Sequence, residues 1–132
     1  MRWPWTPRVL TRQALGALGE RHAARALRAQ GLRLLEANYR RPQGEIDIIA
    51  REDDTLIIVE VRTRTSTSHH TPRESVNAAK QAQLVRMAHC YIREHRLDDV
   101  HCRYDVVEIL ATPTGKILNI NHIPGAFIVG LS

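Results

Sequence analysis

The sequence predicts an α/β domain built in the order αβββαββ, with a mixed central sheet flanked by helices. Three observations lead there. Two stretches, 11–30 and 73–96, repeat apolar residues at helical spacing; short runs rich in β-branched residues lie between and after them; and the 132-residue length suits one core of two or three layers. One domain over 11–132 is expected, preceded by an irregular arm over 1–10 in which Trp3 and Trp5 stand among Pro4 and Pro7. Two readings of the arm are open: aromatic stacking on bases beside arginine, or a terminus packed loosely on the domain.

The first helix is expected from Thr11, a hydroxyl N-cap, to Gln30, with Leu15, Leu18, Ala23, Ala26 and Leu27 as its apolar stripe and Gly31 as its stop. A strand over Leu32–Ala37 and a basic loop over Asn38–Gly44 follow. Glu45–Ala50 and Leu56–Arg62 are rich in isoleucine and valine and are separated by the charged turn Glu52-Asp53-Asp54, the pattern of an antiparallel hairpin. Residues 63–72 are polar and read as a loop. The second helix is expected over about Arg73–Arg96, its inner face carrying Val76, Leu84, Met87, Ala88 and Tyr91. Val100–Leu110 and Lys116–Ile120 are expected as the last two strands, joined by a turn with Pro113 and Gly115.

Hydrophobic residues make up 43% of the chain and charged residues 25%, which argues against wholesale disorder or a fibrous repeat. The net charge is +5, and of the 19 cationic residues two are lysines, Lys80 and Lys116, the rest being arginine. Such an excess attracts polyanions, and the guanidinium fork suits phosphate oxygens. Arginine-rich solvated faces would have the same composition. Cys90 and Cys102 lie in no metal-ligand spacing and read as reduced, mostly buried small hydrophobes. Met1–Leu10 offers no apolar signal-peptide core, and no run approaches the roughly 20 apolar residues that span a bilayer. A cytoplasmic protein without a membrane partner is expected.

The chemistry is expected in the hairpin. Alternation sets Glu45 and Asp47 on one face of their strand and Ile46 and Ile48 on the other, while Glu60 and Arg62 share a face of the next strand. A turn centred on Asp53-Asp54 sets Asp47 opposite Glu60 and Glu45 opposite Arg62. Directly opposed side chains have Cβ atoms about 5 Å apart, and two acids in that relation repel. Two arrangements relieve the repulsion. In one, a Mg²⁺ ion is held by the carboxylates and takes its remaining ligands from water and phosphate, as phosphodiester hydrolysis requires. In the other, Arg62 and Arg64 neutralise Glu45, Asp47 and Glu60 in a solvated polar patch. Glu20 borders the packed face of the first helix, among Gly16, Ala23, Ala24 and Leu27, and either reaches the sheet or is solvated at its tip.

Gly44-Glu45-Ile46-Asp47, then twelve residues, then Glu60-Val61-Arg62 resembles the D…ExK core of the PD-(D/E)xK nuclease superfamily, and specifically the bacterial YraN-like family. The likeness extends to Gly16, Gly19-Glu20 and Ala23, Asn38-Tyr39-Arg40, Glu74-Ser75-Val76 with Lys80-Gln81, Arg103-Tyr104-Asp105-Val106-Val107, and Ala126-Phe127, so that residues 15–129 are covered. The resemblance implies a three-layer restriction-endonuclease-like core of the Holliday-junction-resolvase type. In that family Glu20, Asp47 and Glu60 would bind Mg²⁺ or Mn²⁺, and the protein would be a metal-dependent endonuclease acting on DNA.

Arg62 departs from the superfamily's lysine. Arginine keeps its proton and cannot serve as a base, although it can stabilise a phosphate in the transition state. Lysine relocates to a helix in some superfamily members, which makes Lys80 and its neighbour Gln81 candidates to complete the catalytic set; both are equally open to a flanking role. Arg40, Arg41, Arg64 and Arg73 are candidates for contacts to the nucleic-acid backbone, with His69-His70 in the loop as a solvated pair. The alternatives are a nucleic-acid-binding module without turnover and an accessory protein of a DNA-processing complex. Whether two copies pair as a homodimer is left open.

Overall fold

The structure, a computed structural model, describes residues 4–6, 8–65 and 76–129. The order is α1 (Arg12–Ala29), β1 (Arg33–Arg41), β2 (Gly44–Glu52), β3 (Thr55–Arg64), α2 (Ala78–Glu94), β4 (His101–Ala111) and β5 (Ile117–Phe127). The strands form one sheet in sequence order. Three neighbouring pairs are antiparallel, and β3 pairs with β4 in parallel. A parallel neighbour needs a long crossover, and α2 lies within it. The result is the expected αβββαββ three-layer arrangement, a restriction-endonuclease-like core.

Local chemistry fixes α1. The Thr11 side chain accepts a hydrogen bond from the Ala14 N–H at 3.0 Å, capping the first turn. At the other end Gly31 takes φ 93°, a left-handed conformation that costs glycine little. There the Gly31 N–H donates to Arg28 O and the Leu32 N–H to Leu27 O, closing the last turn, and Leu32 is buried with Leu27 in one core. Asn77 caps α2 in the same way as Thr11, accepting from the Lys80 N–H at 2.9 Å.

The two helices cover opposite faces of the sheet. Ala23 and Leu27 of α1 pack with Ile48, Ile57, Val59, Val107 and Ile109. On the other side Leu84, Met87, Ala88 and Tyr91 of α2 pack with Tyr39, Ile46, Ile58 and Val106. Gly19 sets how closely α1 approaches: a Cβ there would overlap Thr63 Oγ1 and lie 3.0 Å from the Thr63 Cβ.

Several sequence expectations are corrected. The segment read as a basic loop is the second half of β1, because the β1–β2 ladder runs down to Arg41↔Gly44 and leaves only Pro42-Gln43 for the turn. Tyr39, placed in that loop, is 1% exposed and belongs to the α2-side core. β3 extends through Arg64, β5 continues to Phe127, and α2 begins at Ala78. Cys90 is buried as expected, whereas Cys102 is exposed. The arm is tied by the Leu10 N–H, which donates to Pro113 O, and Trp5 is exposed. Arg73, the His69-His70 pair and Glu74-Ser75 lie outside the described residues. Among the described residues no helix is long and apolar enough to cross a membrane.

The β4–β5 ladder is held at its shift by Asp105, which is 1% exposed. Its carboxylate accepts from Arg103 through Nε and Nη2, both at 2.9 Å, and from the Gly125 N–H at 2.9 Å; His122 Nε2 lies 2.8 Å away. Burial alone would raise this carboxyl, but the hydrogen bonds from His122, Arg103 and Gly125 outweigh it and hold it below the usual range. Its stabilisation is therefore complete above the ordinary carboxylate range and is lost as pH falls through the lowered value. Asp105→Ala is expected to lower unfolding stability by about 3 kcal/mol at neutral pH. Urea melts should show the gap to wild type narrowing as pH drops below about 4.

Gly19→Ala tests the helix contact separately. It gains about 1 kcal/mol of helix propensity and loses about 1–3 kcal/mol to overpacking. A lowered melting temperature is the expected outcome, and a raised one would mean that Thr63 moves aside freely.

Candidate functional site

The β2–β3 hairpin closes at Glu52↔Thr55 about Asp53-Asp54, and its ladder continues to Ile48↔Val59. This is the register expected from the turn. Beyond Ile48 the cross-strand pairing ends. There the Asp47 side chain takes over, its Oδ2 accepting the Val61 N–H at 2.8 Å.

Asp47 escapes the pleat because alternation breaks at this residue. Ile46 packs in the α2-side core and Ile48 in the α1-side core, although two residues apart on a regular strand would share a face. The expectation that these isoleucines lie together is thus corrected. Asn38 lies between the Ala37↔Ile48 and Tyr39↔Ile46 pairs, opposite Asp47, and takes φ 53°. Asparagine tolerates this left-handed conformation better than most residues. Both strands change facing at one step, and a gap opens between β2 and β3.

Glu60 enters the gap from the other side. Alternation along β3 is regular, with Ile57 and Val59 in the α1-side core and Ile58 in the α2-side core, so Glu60 faces α2. It is buried, at 6% exposure. Lys80 of α2 reaches it, with Nζ 3.3 Å from Glu60 Oε2. Arg62 Nε stands farther off, 3.9 Å from Oε1, and is a buried atom without a hydrogen-bond partner.

The Asp47 and Glu60 carboxyls lie within hydrogen-bonding reach of each other. Burial first, and then the charge of Glu60, push Asp47 up to about 8, against the lowering effect of the Val61 N–H. At neutral pH Asp47 therefore holds its proton. Glu20 is raised as well, by burial and then by Glu45. It stands at the α1 side of the gap, where the Asn38 amide, oriented with its NH₂ toward the acids, donates to Glu20 Oε2 at 3.1 Å and to Glu45 Oε1 at 3.2 Å.

Among the described residues no three acidic, histidine or cysteine side chains converge as a ready metal-ligand set. Glu20 is not drawn in to the pair. Mg²⁺ is usually held by one or two protein carboxylates, and the Asp47–Glu60 pair supplies that number.

The ion-paired alternative would have placed Arg62 and Arg64 against all three hairpin acids. Instead Glu45 pairs with Arg40 at 3.3 Å rather than facing Arg62, and Arg64 is paired with Glu108 of β4. Arg41 is clamped by Glu94 through Nε at 2.8 Å and Nη2 at 2.7 Å, and lies 4.2 Å over the Tyr39 ring. Three of the four arginines proposed for backbone contact are thus already partnered by carboxylates. Gln81 donates its amide to Val76 O at 2.9 Å and braces the start of α2. Sequence reasoning missed Asn38 as a site residue. It also passed over Arg21, Arg25 and Arg28 on α1, whose helical spacing was there to be read.

Fold and site together define a restriction-endonuclease-like α/β domain with an acidic pair in the gap between two diverging strands. The sequence matches the uncharacterised protein family UPF0102 over residues 19–109. A UPF0102 protein of Syntrophotalea carbinolica is 47% identical over 118 residues, 89% of this chain and 94% of its own length. One from Moorella thermoacetica is 41% identical over 119 residues, covering 90% and 99%, and one from Chlorobaculum parvum is 45% identical over 123 residues, covering 89% and 94%. The chain belongs to the UPF0102 family, the YraN-like group its motifs resemble.

The raised Asp47 carboxyl sets a pH dependence. A carboxyl raised on folding is stabilising while protonated, and metal-free stability is expected to decline as pH climbs toward and through about 8. A divalent cation held by Asp47 would have to displace that proton. Added Mg²⁺ or Mn²⁺ should therefore raise the melting temperature more at pH 9 than at pH 6, both chosen to bracket the value of about 8. Asp47→Asn should lose the metal response and lie above the metal-free wild type at the higher pH; an unchanged response would remove Asp47 from the metal site.

Proposed function

We propose that this protein is a metal-dependent nuclease that hydrolyses phosphodiester bonds in DNA. The observation that carries the reading is the Asp47–Glu60 pair in the strand gap, with the Lys80 ammonium beside Glu60. Asp47 and Glu60 would hold Mg²⁺ or Mn²⁺. The ion, when bound, supplies an activated water and neutralises charge on the scissile phosphate.

The protein's own groups have separate tasks. The Val61 N–H fixes one Asp47 oxygen, so the carboxylate is aimed before any ligand arrives. Lys80 takes the place of the lysine missing at position 62: its Nζ holds Glu60 Oε2 and can orient a water or contact a phosphate oxygen. Arg62, whose Nε has no partner, offers charge to the phosphate without exchanging a proton. Glu20, at the α1 side of the gap, is the third acid that the resemblance assigns to the ion, and Gln81 acts by positioning α2.

The test is incubation of the pure protein with branched, nicked and single-stranded DNA in Mg²⁺ or Mn²⁺. Wild type should cleave at least one substrate. Asp47→Ala and Glu60→Gln should each lose activity by on the order of 100-fold or more, and Lys80→Met by a comparable factor while the fold persists. Cleavage that survives Asp47→Ala would sink the proposal, and tight binding without cleavage by wild type would support a module that binds without turnover.

A further inference from the structure

We propose that the groove between α1 and β1 is the track for the sugar–phosphate backbone of one nucleic-acid strand, gripped by Arg21, Arg25 and Arg28. The inference takes the chemical class of its ligand from the nuclease reading and adds the path by which that ligand reaches the acids.

The groove has a volume of about 510 Å³ and is lined on one wall by these three arginines. Glu20, Asn38 and Asp47 line the same groove. The basic wall thus shares its groove with Asp47, one acid of the pair. The spacings of four and three residues set the arginines on one helical stripe. At 1.5 Å per residue the stripe is about 10 Å long, the axial span of about three phosphates of one strand at 3.4 Å each.

What sets these arginines apart is that they line one groove together and have no carboxylate partner there among the described residues. Arg40, Arg41, Arg64 and Arg103 each have a carboxylate partner. Arg21, Arg25 and Arg28 are exposed and form no ion pair among the described residues. Like charges one turn apart weaken a helix. Arg28, in the last turn, gains from the helix dipole, but Arg21 and Arg25 lie too far from the C-terminus to share that benefit. A polyanion supplies the missing counter-charge for all three.

The shape selects among polyanions. A membrane surface is flat and meets convex basic faces, whereas this surface is concave. Its lining includes Ala17, Ala24 and Ala37, small residues that let a sugar edge lie close to the backbone. The phosphates would face the arginine wall, and the strand would lead its next phosphate to Asp47.

The experiment is fluorescence anisotropy with a labelled single-stranded DNA oligonucleotide in EDTA, over a salt series. Two triple variants are compared: Arg21→Gln, Arg25→Gln, Arg28→Gln, and a control of equal charge loss, Arg86→Gln, Arg93→Gln, Arg96→Gln. All six positions are exposed, and thermal melts verify that both variants are folded. The groove variant should bind at least about tenfold more weakly, with its log–log salt slope reduced by about 2, three contacts at about 0.7 each. The control should stay close to wild type in slope.

Equal losses in both variants would show that net charge alone is at work and would overturn the proposal. So would an unchanged groove variant, or a wild type that does not bind. Because no metal is present, turnover plays no part. Groove-dependent binding by a protein that never cleaves sinks the nuclease reading alone, and cleavage left intact in a groove variant that binds like wild type sinks the groove alone.

Discussion

The bond from the Val61 N–H to Asp47 Oδ2 organises the site. An unpaired backbone donor at the end of a ladder must find an acceptor, and here a side chain supplies it. That substitution lets β2 and β3 part without leaving a buried N–H unsatisfied. It also aims an acid into the gap, where the two strands would otherwise have continued to pair. The left-handed Asn38 opposite makes the same adjustment on the β1 side, and its amide steadies Glu20 and Glu45.

Around this gap the two helices have different work. α2 buries its apolar face on one side of the sheet and brings Lys80 to Glu60. α1 closes on the other side, with Gly19 allowing contact at Thr63 and Glu20 following at the edge of the opening. A wider approach by α1 would withdraw Glu20 and the arginine stripe together. Acids this close are costly in a folded protein, and the compensation comes from Lys80 and the more distant Arg62 on Glu60 and from the Val61 N–H on Asp47.

The β4–β5 side carries the opposite design. Asp105 is as buried as any core residue, yet its charge is met by Arg103, His122 and a backbone N–H. His122 also reaches Gln30 at the C-cap of α1, with Nδ1 2.9 Å from Oε1. This network joins the far edge of the sheet to the helix that bounds the site. Asp105 on β4 is thus met from several sides, while on the adjoining β3 Glu60 is met by Lys80 and, farther off, by Arg62.

Features set by neighbours in sequence were legible. The Thr11 cap, the Gly31 stop, the two-residue turn at Asp53-Asp54 and its register, and the inner face of α2 all follow from short-range geometry, whereas Lys80 was singled out by the family resemblance. What escaped depends on residues far apart along the chain. Regular alternation could not foresee the break at Asp47, because that break requires Asn38 across the ladder and an unpaired N–H on β3. The fates of Arg41 and Arg64 were decided by Glu94 and Glu108, which only packing brings near. The sequence by itself determined the family, the order of elements and the acids; tertiary structure decided which charges meet, because the energy of a charge depends on its neighbours and its distance from water, and neither is written locally.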